Sequence, residues 1–412
     1  MKTWRDKLTG WGKSPSFFIC WLAIIFSVFY IGAEVTKRQP VVASSQLSTH
    51  QAIDSITTPI ISKTDPATKT AVKGFNTLSN LQLPAFHQGL SDSNIPQLQK
   101  LAEYEQAAGG AVATGMMYFT DYPDSVTGAK SAATDMYSTL KSFAKYGLTP
   151  LIIMEPTNSK GSLNFQNYSN GAYDGIVDAY FQTLKNLGAS DSEVGIWTYF
   201  PEANLPEWGP VDTADFAPNV TRTVNIQKKY FPNSRASIML DAESYPAGST
   251  DWGNGSYVSI SPFINGIPKG LLDSFGLQGF PWAPPANSSG DASYDPNVYL
   301  NGNLAVQAAT QLGVTDIWLN TGTFHAMYTG SRAGTIYLSP SQRQSMLDVV
   351  VSQAVSIKGK GFKTEVNLFS EDKSNTDEAT DWSYKSTDDQ AVFKAFSQQL
   401  YSYGIGLWLF DS

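Results

Sequence analysis

The chain has a single cysteine, Cys20, and it falls within an uncharged N-terminal run. A disulfide framework within the chain is therefore excluded, and so is a cysteine zinc site in the folded part. Histidine is nearly as scarce. Only His50, His87 and His325 can supply an imidazole, no His-Glu-x-x-His occurs, and no His and acid cluster has ligand spacing. Neither a metal centre nor a cofactor is expected. Charge is thin as well, at 16% of residues with a formal net of -8. A nucleic-acid binder would carry a basic face, and this balance offers none.

What the chain does have is aromatic residues, 13% of the total, amid many Asn, Ser and Gly. That mixture suits an exported protein handling a neutral polar ligand. With 412 residues there is room for one large domain or two ordinary ones.

The N-terminus reads as a membrane anchor. Residues 1–15 hold Lys2, Arg5, Lys7 and Lys13 against Asp6, and residues 16–33 carry no charge at all. Eighteen such residues rise about 27 Å as a helix, close to the hydrocarbon thickness of a bilayer. Ile31-Gly32-Ala33 is a poor small-x-small cleavage site. The expectation is an uncleaved signal-anchor over 16–35 with a cytoplasmic basic segment before it and the rest extracellular. Lys37 and Arg38 on the far side weaken that orientation without reversing it. A cleaved anchor would make the protein secreted. Residues 36–78, rich in Ser, Thr, Gln, Val and Pro, read as a tether. A strand laid across the domain is the alternative.

From about residue 80 a rhythm of apolar run, polar loop and helical segment repeats. Strands are expected at 81–87, 111–119, 149–155, 193–199, 236–241, 273–280, 315–320 and 364–369. Amphipathic helices are expected near 93–108, 129–146, 172–188, 213–230, 297–312, 340–358 and 387–402. Eight strands alternating with helices over 79–412 imply an α/β fold, a (β/α)8 TIM barrel behind a transmembrane helix and flexible tether. A doubly wound sheet would need a glycine-rich turn after its first strand, and none is present. Residues 405–411 also look like a strand, which makes nine. Either they form an extra edge strand, or 81–87 lies outside the barrel and the count shifts by one. The shift would put Glu243 at the end of strand four and Glu371 at the end of strand seven.

The chemistry centres on Val194–Gly209, where an apolar run ends in Glu202, then Asn204, then Trp208-Gly209. A buried parallel strand delivers an acid to the open end of a barrel in this way. Tyr199, Phe200 and Trp208 flank Glu202, and apolar neighbours would raise its pKa, as a proton donor requires. A surface loop with an incidental acid is the plainer reading. Other acids near strand ends are Asp121, Glu155, Glu207, Asp241, Glu243, Asp251, Glu371, Asp372 and Asp381, although strand-end acids also cap helices. Two of them across a scissile bond is what glycoside hydrolysis needs. His87 and His325 could hydrogen-bond a sugar hydroxyl or be satisfied imidazoles. Asn204 could orient Glu202 or bind a hydroxyl, and Trp208, Trp282 and Trp382 could stack on sugar rings. Asn-x-Ser/Thr triplets at Asn167, Asn219, Asn254 and Asn287 are expected by chance in such a composition.

Three places resemble a known family. They are Pro201-Glu202-Ala203-Asn204 with Pro206-Glu207-Trp208-Gly209, Leu272–Phe280, and Glu365–Phe369 with Asp381-Trp382-Ser383. Residues 82–400 are thereby similar to the glycoside hydrolases of family 26, the β-mannanase and β-glycanase barrels. The resemblance implies that Glu202, after strand four, is the general acid/base. It also sets Pro201 where the family has His, and Asn320 where the family has its nucleophilic Glu. An amide cannot form a glycosyl intermediate. The partner is then Glu371, or Asp241 or Glu243, or the barrel binds glycan without cutting it. Tyr199, Asn204 and Asn320 would contact substrate along with the tryptophans and His87.

The expected protein is a membrane-anchored monomer hydrolysing β-linked polysaccharide or cell-wall glycan of the mannan or glucan type. A silent glycan-binding barrel is the main rival. A structural surface protein with a closed mouth is the third.

Overall fold

A computed structural model describes residues 81–90, 95–158, 161–162, 164–204, 213–242, 259–281, 295–328, 335–375 and 380–410. The basic segment, the anchor and the whole of the tether lie outside these. Among the described residues no helix is long and apolar enough to cross a membrane.

Eight parallel strands close into a barrel. They are β1 (Gly115–Asp121), β2 (Thr149–Glu155), β3 (Ile196–Tyr199), β4 (Arg235–Asp241), β5 (Ser274–Gln278), β6 (Asp316–Thr321), β7 (Lys363–Phe369) and β8 (Gly406–Phe410). Each pairs with its neighbour in chain order, and β8 returns to β1 through Gly115 opposite Trp408. Outside run α1 (Pro96–Ala108), α2 (Val126–Lys145), α3 (Asp174–Asn186), α4 (Thr213–Tyr230), α5 (Gly302–Leu312), α6 (Pro340–Gly359) and α7 (Thr387–Ser402). Helix starts follow local rules. Ser339 caps α6 in a capping box with Gln342, and Ser386 caps α7 through the Asp389 amide. Four short antiparallel strands, Ala326–Tyr328, Thr335–Tyr337, Asp372–Lys373 and Thr380–Asp381, form a small sheet from the loops after β6 and β7.

The parallel (β/α)8 architecture is as expected, with the count shifted by one. Residues 81–87 form no strand. Pro84 lacks an N–H, and the edge beside β1 belongs to β8. The segment is instead an outer strap: Ala111 donates its amide to Pro84 O at 2.9 Å, and Gln398 Nε2 donates to Leu81 O at 2.6 Å. Three corrections follow. Glu202 comes after β3, not after a fourth strand; Asp241 ends β4; and Asn320 belongs to β6, not to the seventh strand, which is followed by Glu371. The strand positions implied by the family resemblance therefore do not hold.

Side chains alternate along each strand, so every second one points into the barrel. The lower interior is filled by Met117, Leu151, Ile153, Ile196, Met239, Trp318 and Trp408. Two indoles fit there because two strand positions lack a side chain. A Cβ on Gly276 would sit 2.3 Å from Trp318 Cζ2, and one on Gly115 would sit 2.6 Å from Trp408 Cδ1. Gly276→Ala is accordingly expected to cost about 1–3 kcal/mol through overpacking. A drop in melting temperature that Trp318→Phe partly restores is the expected pattern; an unchanged melt would contradict it.

Candidate active site

The C-terminal ends of the strands carry the polar layer. Continuing the inward alternation places Asp121 above Phe119, Glu155 above Ile153, Asp241 above Met239, Gln278 above Gly276, Asn320 above Trp318, and Asn367 below Phe369. Acids occupy the β1–β4 side. Amides and aromatics occupy the β5–β7 side.

Glu202 reaches this layer from a tight turn after β3. Phe200 and Glu202 both have positive φ, 52° and 56°, in the left-handed region that side chains with a Cβ seldom adopt. The turn is held by the Glu202 amide donating to Met239 O at 3.0 Å. Asn204 clamps it further, with Nδ2 donating to Asp241 O at 2.7 Å and Oδ1 accepting from Asp241 N at 2.8 Å. Asn204 is thus a buried backbone clamp that extends the β3–β4 pairing.

The carboxylates are electrostatically linked. Burial, then the charges of Asp121 and Glu202, push the Glu155 carboxyl up from 4.5 to about 7, against the opposing pull of Lys373. Asp121 neighbours Glu155 across the β1–β2 register and accepts a 2.8 Å hydrogen bond from Thr157 Oγ1. Gln278 Nε2 donates to Glu202 Oε1 and, at 3.3 Å, to Asp241 Oδ2. Both oxygens lie within hydrogen-bond reach of one nitrogen, so they are no more than about 6.5 Å apart. Behind Gln278 the amides continue in series. Asn320 Nδ2 donates to Gln278 Oε1 at 2.6 Å, and Asn367 Nδ2 donates to Asn320 Oδ1 at 2.6 Å.

Glu371, two residues past β7, lies 3.8 Å from Lys373 Nζ, which also sits 5.1 Å from the centre of the Phe369 ring. Trp382 packs by its edges against Phe280, Phe369 and Phe324 at 5.2, 5.8 and 6.0 Å and is 7% exposed. It forms an aromatic wall with little ring surface open.

Other sequence-derived candidates sit elsewhere. Tyr199 points outward, its hydroxyl donating to Gln227 Oε1 at 2.8 Å, and Phe200 stacks on Tyr122 at 5.7 Å. The aromatic residues before Glu202 therefore serve the helix-facing core. His87 belongs to the strap, where its amide donates to Glu105 Oε2 at 3.1 Å and its Nδ1 contacts the same carboxylate. His325 Nδ1 lies 3.1 Å from Asp389 Oδ2. Trp208, Glu243 and Trp282 lie outside the described residues. Among the described residues no three His, Cys, Asp or Glu side chains converge to hold a metal ion.

Glu155 stood in the sequence only as one of several strand-end acids, although Thr-Pro-Leu-Ile-Ile-Met-Glu ends a buried strand in an acid just as the stretch before Glu202 does. Gln278 was not singled out. Gln278 carries no local signal; only the barrel register sets it opposite Asp241.

No protein-family model and no curated sequence matches the chain. Solved structures with similar backbones include a β-glucosidase at 11% identity and TM-score 0.46, covering 78% of this chain and 91% of that one. The family 1 β-glucosidase from Thermotoga maritima matches at 10% identity and TM-score 0.44, covering 74% and 86%. A virulence factor from Agrobacterium tumefaciens matches at 10% identity and TM-score 0.42, covering 73% and 86%. These likenesses concern the backbone alone, and the chain's barrel is established by its own strand pairing.

Proposed function

We propose that the barrel hydrolyses glycosidic bonds in an uncharged, β-linked polysaccharide by a two-carboxylate mechanism. The observation that carries this is a pair of electrostatically linked carboxyls in unlike surroundings. Glu155 is pushed up to about 7, while Glu202 accepts a hydrogen bond from the Gln278 amide. Surroundings that differ in this way suit a proton donor and a charged partner. Glu155 protonates the leaving oxygen. Glu202, assisted by Asp241, meets the positive charge that develops at the anomeric carbon, either by attack or by activating a water. The roles thus differ from the simpler expectation that Glu202 itself is the acid. Glu371, held beside Lys373, is a further carboxylate facing the same loops.

Substrate selection follows from the same residues. Carboxylates on β1–β4 disfavour polyuronates, and the β-linked class rests on the motif likeness around Glu202 and Trp208. In this reading the barrel is displayed outside the cell on the anchor at 16–35 and works as a monomer without a cofactor.

A second reading has its own observation. Gln278 occupies the space between Glu202 and Asp241, an arrangement that also suits binding without cleavage. The two separate when the full chain is incubated with mannan, β-glucan and peptidoglycan and new reducing ends are assayed. Turnover that falls about 10²–10⁴-fold in Glu155→Gln and in Glu202→Gln supports hydrolysis. Turnover indifferent to both substitutions removes the assignment, and binding without turnover favours the silent barrel.

A further inference from the structure

The amides of β5, β6 and β7 form a directed series, and its direction bears on charge. Gln278, Asn320 and Asn367 occupy equivalent registers on adjacent strands and are at most 4% exposed. A carboxamide presents N–H at one end and C=O at the other. Three in series must all run the same way, because one reversal would set N–H against N–H or oxygen against oxygen. Here every N–H end points toward the carboxylates. Both hydrogens of Gln278 Nε2 are spent, one on Glu202 and one on Asp241. At the far end Asn367 Oδ1 is buried and has no donor among the described residues. The opposite direction would satisfy that end differently, but it would turn Gln278 Oε1 onto Glu202 and Asp241. An oxygen facing two carboxylates is tolerated only if one of them holds a proton.

We propose that Gln278 is a positioning residue whose amide lets Glu202 and Asp241 be ionised side by side, with Asn320 and Asn367 fixing which end of that amide faces them. Among the described residues, the titratable groups linked to Glu202 are Glu155 from β2 and Asp241 from β4, with Asp121 and Lys373 next to Glu155. Of these only Lys373 is positive. Without the amide hydrogens, two nearby acids of like charge keep a proton between them. The functional meaning rests on Glu202 being the charged partner proposed above, but the charge arrangement itself is measurable without substrate.

The test is infrared spectroscopy of the full chain at about pH 8, where Glu155, with its midpoint of about 7, is mostly ionised. Gln278→Leu is expected to show one additional protonated carboxyl band relative to the wild type, lost when Asp241→Asn is added. Gln278→Glu is the variant of matching shape. There the site's demand for a donor keeps the introduced carboxyl protonated, with a ratio of protonated to ionised form about tenfold or more above that of an ordinary glutamate at that pH. Asn320→Leu, which touches no carboxylate, is expected to move the balance in the same direction by less. A spectrum of Gln278→Glu with its new carboxyl fully ionised at pH 8, in a chain with wild-type circular dichroism, would overturn the proposal. So would a Gln278→Leu spectrum identical to wild type. Neither outcome depends on turnover, so a barrel that binds without cutting can still satisfy this test, and an active enzyme can still fail it.

Discussion

Arg343→Met is expected to destabilise the barrel by about 3–5 kcal/mol, the range for removing one partner of a buried ion pair. Arg343 is fully buried on α6, and its guanidinium organises three segments at once. Nε donates to Thr323 Oγ1 at 3.2 Å and Nη2 to Thr323 O at 2.7 Å, which fixes the loop after β6. Nη1 donates to Ser383 O at 3.0 Å and Nη2 to Trp382 O at 3.3 Å, which fixes the loop after β7. Nη1 also donates to Asp389 Oδ1 at 2.7 Å in the first turn of α7, and the group lies 3.9 Å from the centre of the Tyr384 ring. Methionine fills much of the volume but leaves Asp389, 2% exposed, as a buried charge without its main partner. Arg343→Lys is expected to recover only part of the loss, because one ammonium cannot reach the same forked set of acceptors. Chemical denaturation decides the matter. A methionine variant within about 1 kcal/mol of wild type would mean that the network is worth far less than its geometry implies.

Glu155→Gln is expected to do two opposite things: lower turnover by about 10²–10⁴-fold and stabilise the fold at alkaline pH. The folded-state value of about 7 lies above the ordinary 4.5. Stability from the protonated carboxyl is therefore complete below about pH 4.5, declines across the window to about 7, and is lost above it. At about 1.36 kcal/mol per pH unit, the displacement from 4.5 to about 7 is worth at most about 3 kcal/mol, and partial exposure reduces it. A glutamine stays neutral at every pH. The variant should unfold later than wild type at pH 8 and converge with it near pH 4.5. Equal stability across that range would show that Glu155 titrates like a surface acid, and its assignment as proton donor would fall with it. A gain in stability at the cost of activity is the signature of a site held in an unfavourable state.

The barrel was legible because its strands are buried on both faces and so read as short continuous apolar runs. Thr149–Glu155 and the helices at 213–230, 340–358 and 387–402 stand within a residue of their expected limits. The miscount came from Leu81–His87, which has the composition of a strand, yet the edge it would have filled belongs to the last strand in the chain. No local pattern encodes that competition. The site was legible where a strand ends in an acid and illegible where register decides. Glu202 stood out by its neighbours, but Tyr199 and Phe200 turn to the helices, and the amide that donates to Glu202 comes from a strand 76 residues away. The role of Asn204 was open in sequence because one amide can clamp a backbone or meet a ligand. The two hydrogen bonds it exchanges with the Asp241 backbone show the first.

Closure of the barrel by Gly406–Phe410 has a consequence for folding. Those residues sit between β1 and β7 and supply the backbone partners of both. Any state in which β8 is undocked leaves those two strands with open edges. Edges of that kind template intermolecular pairing. Docking of β8 therefore protects the barrel from joining a second copy as well as completing its core.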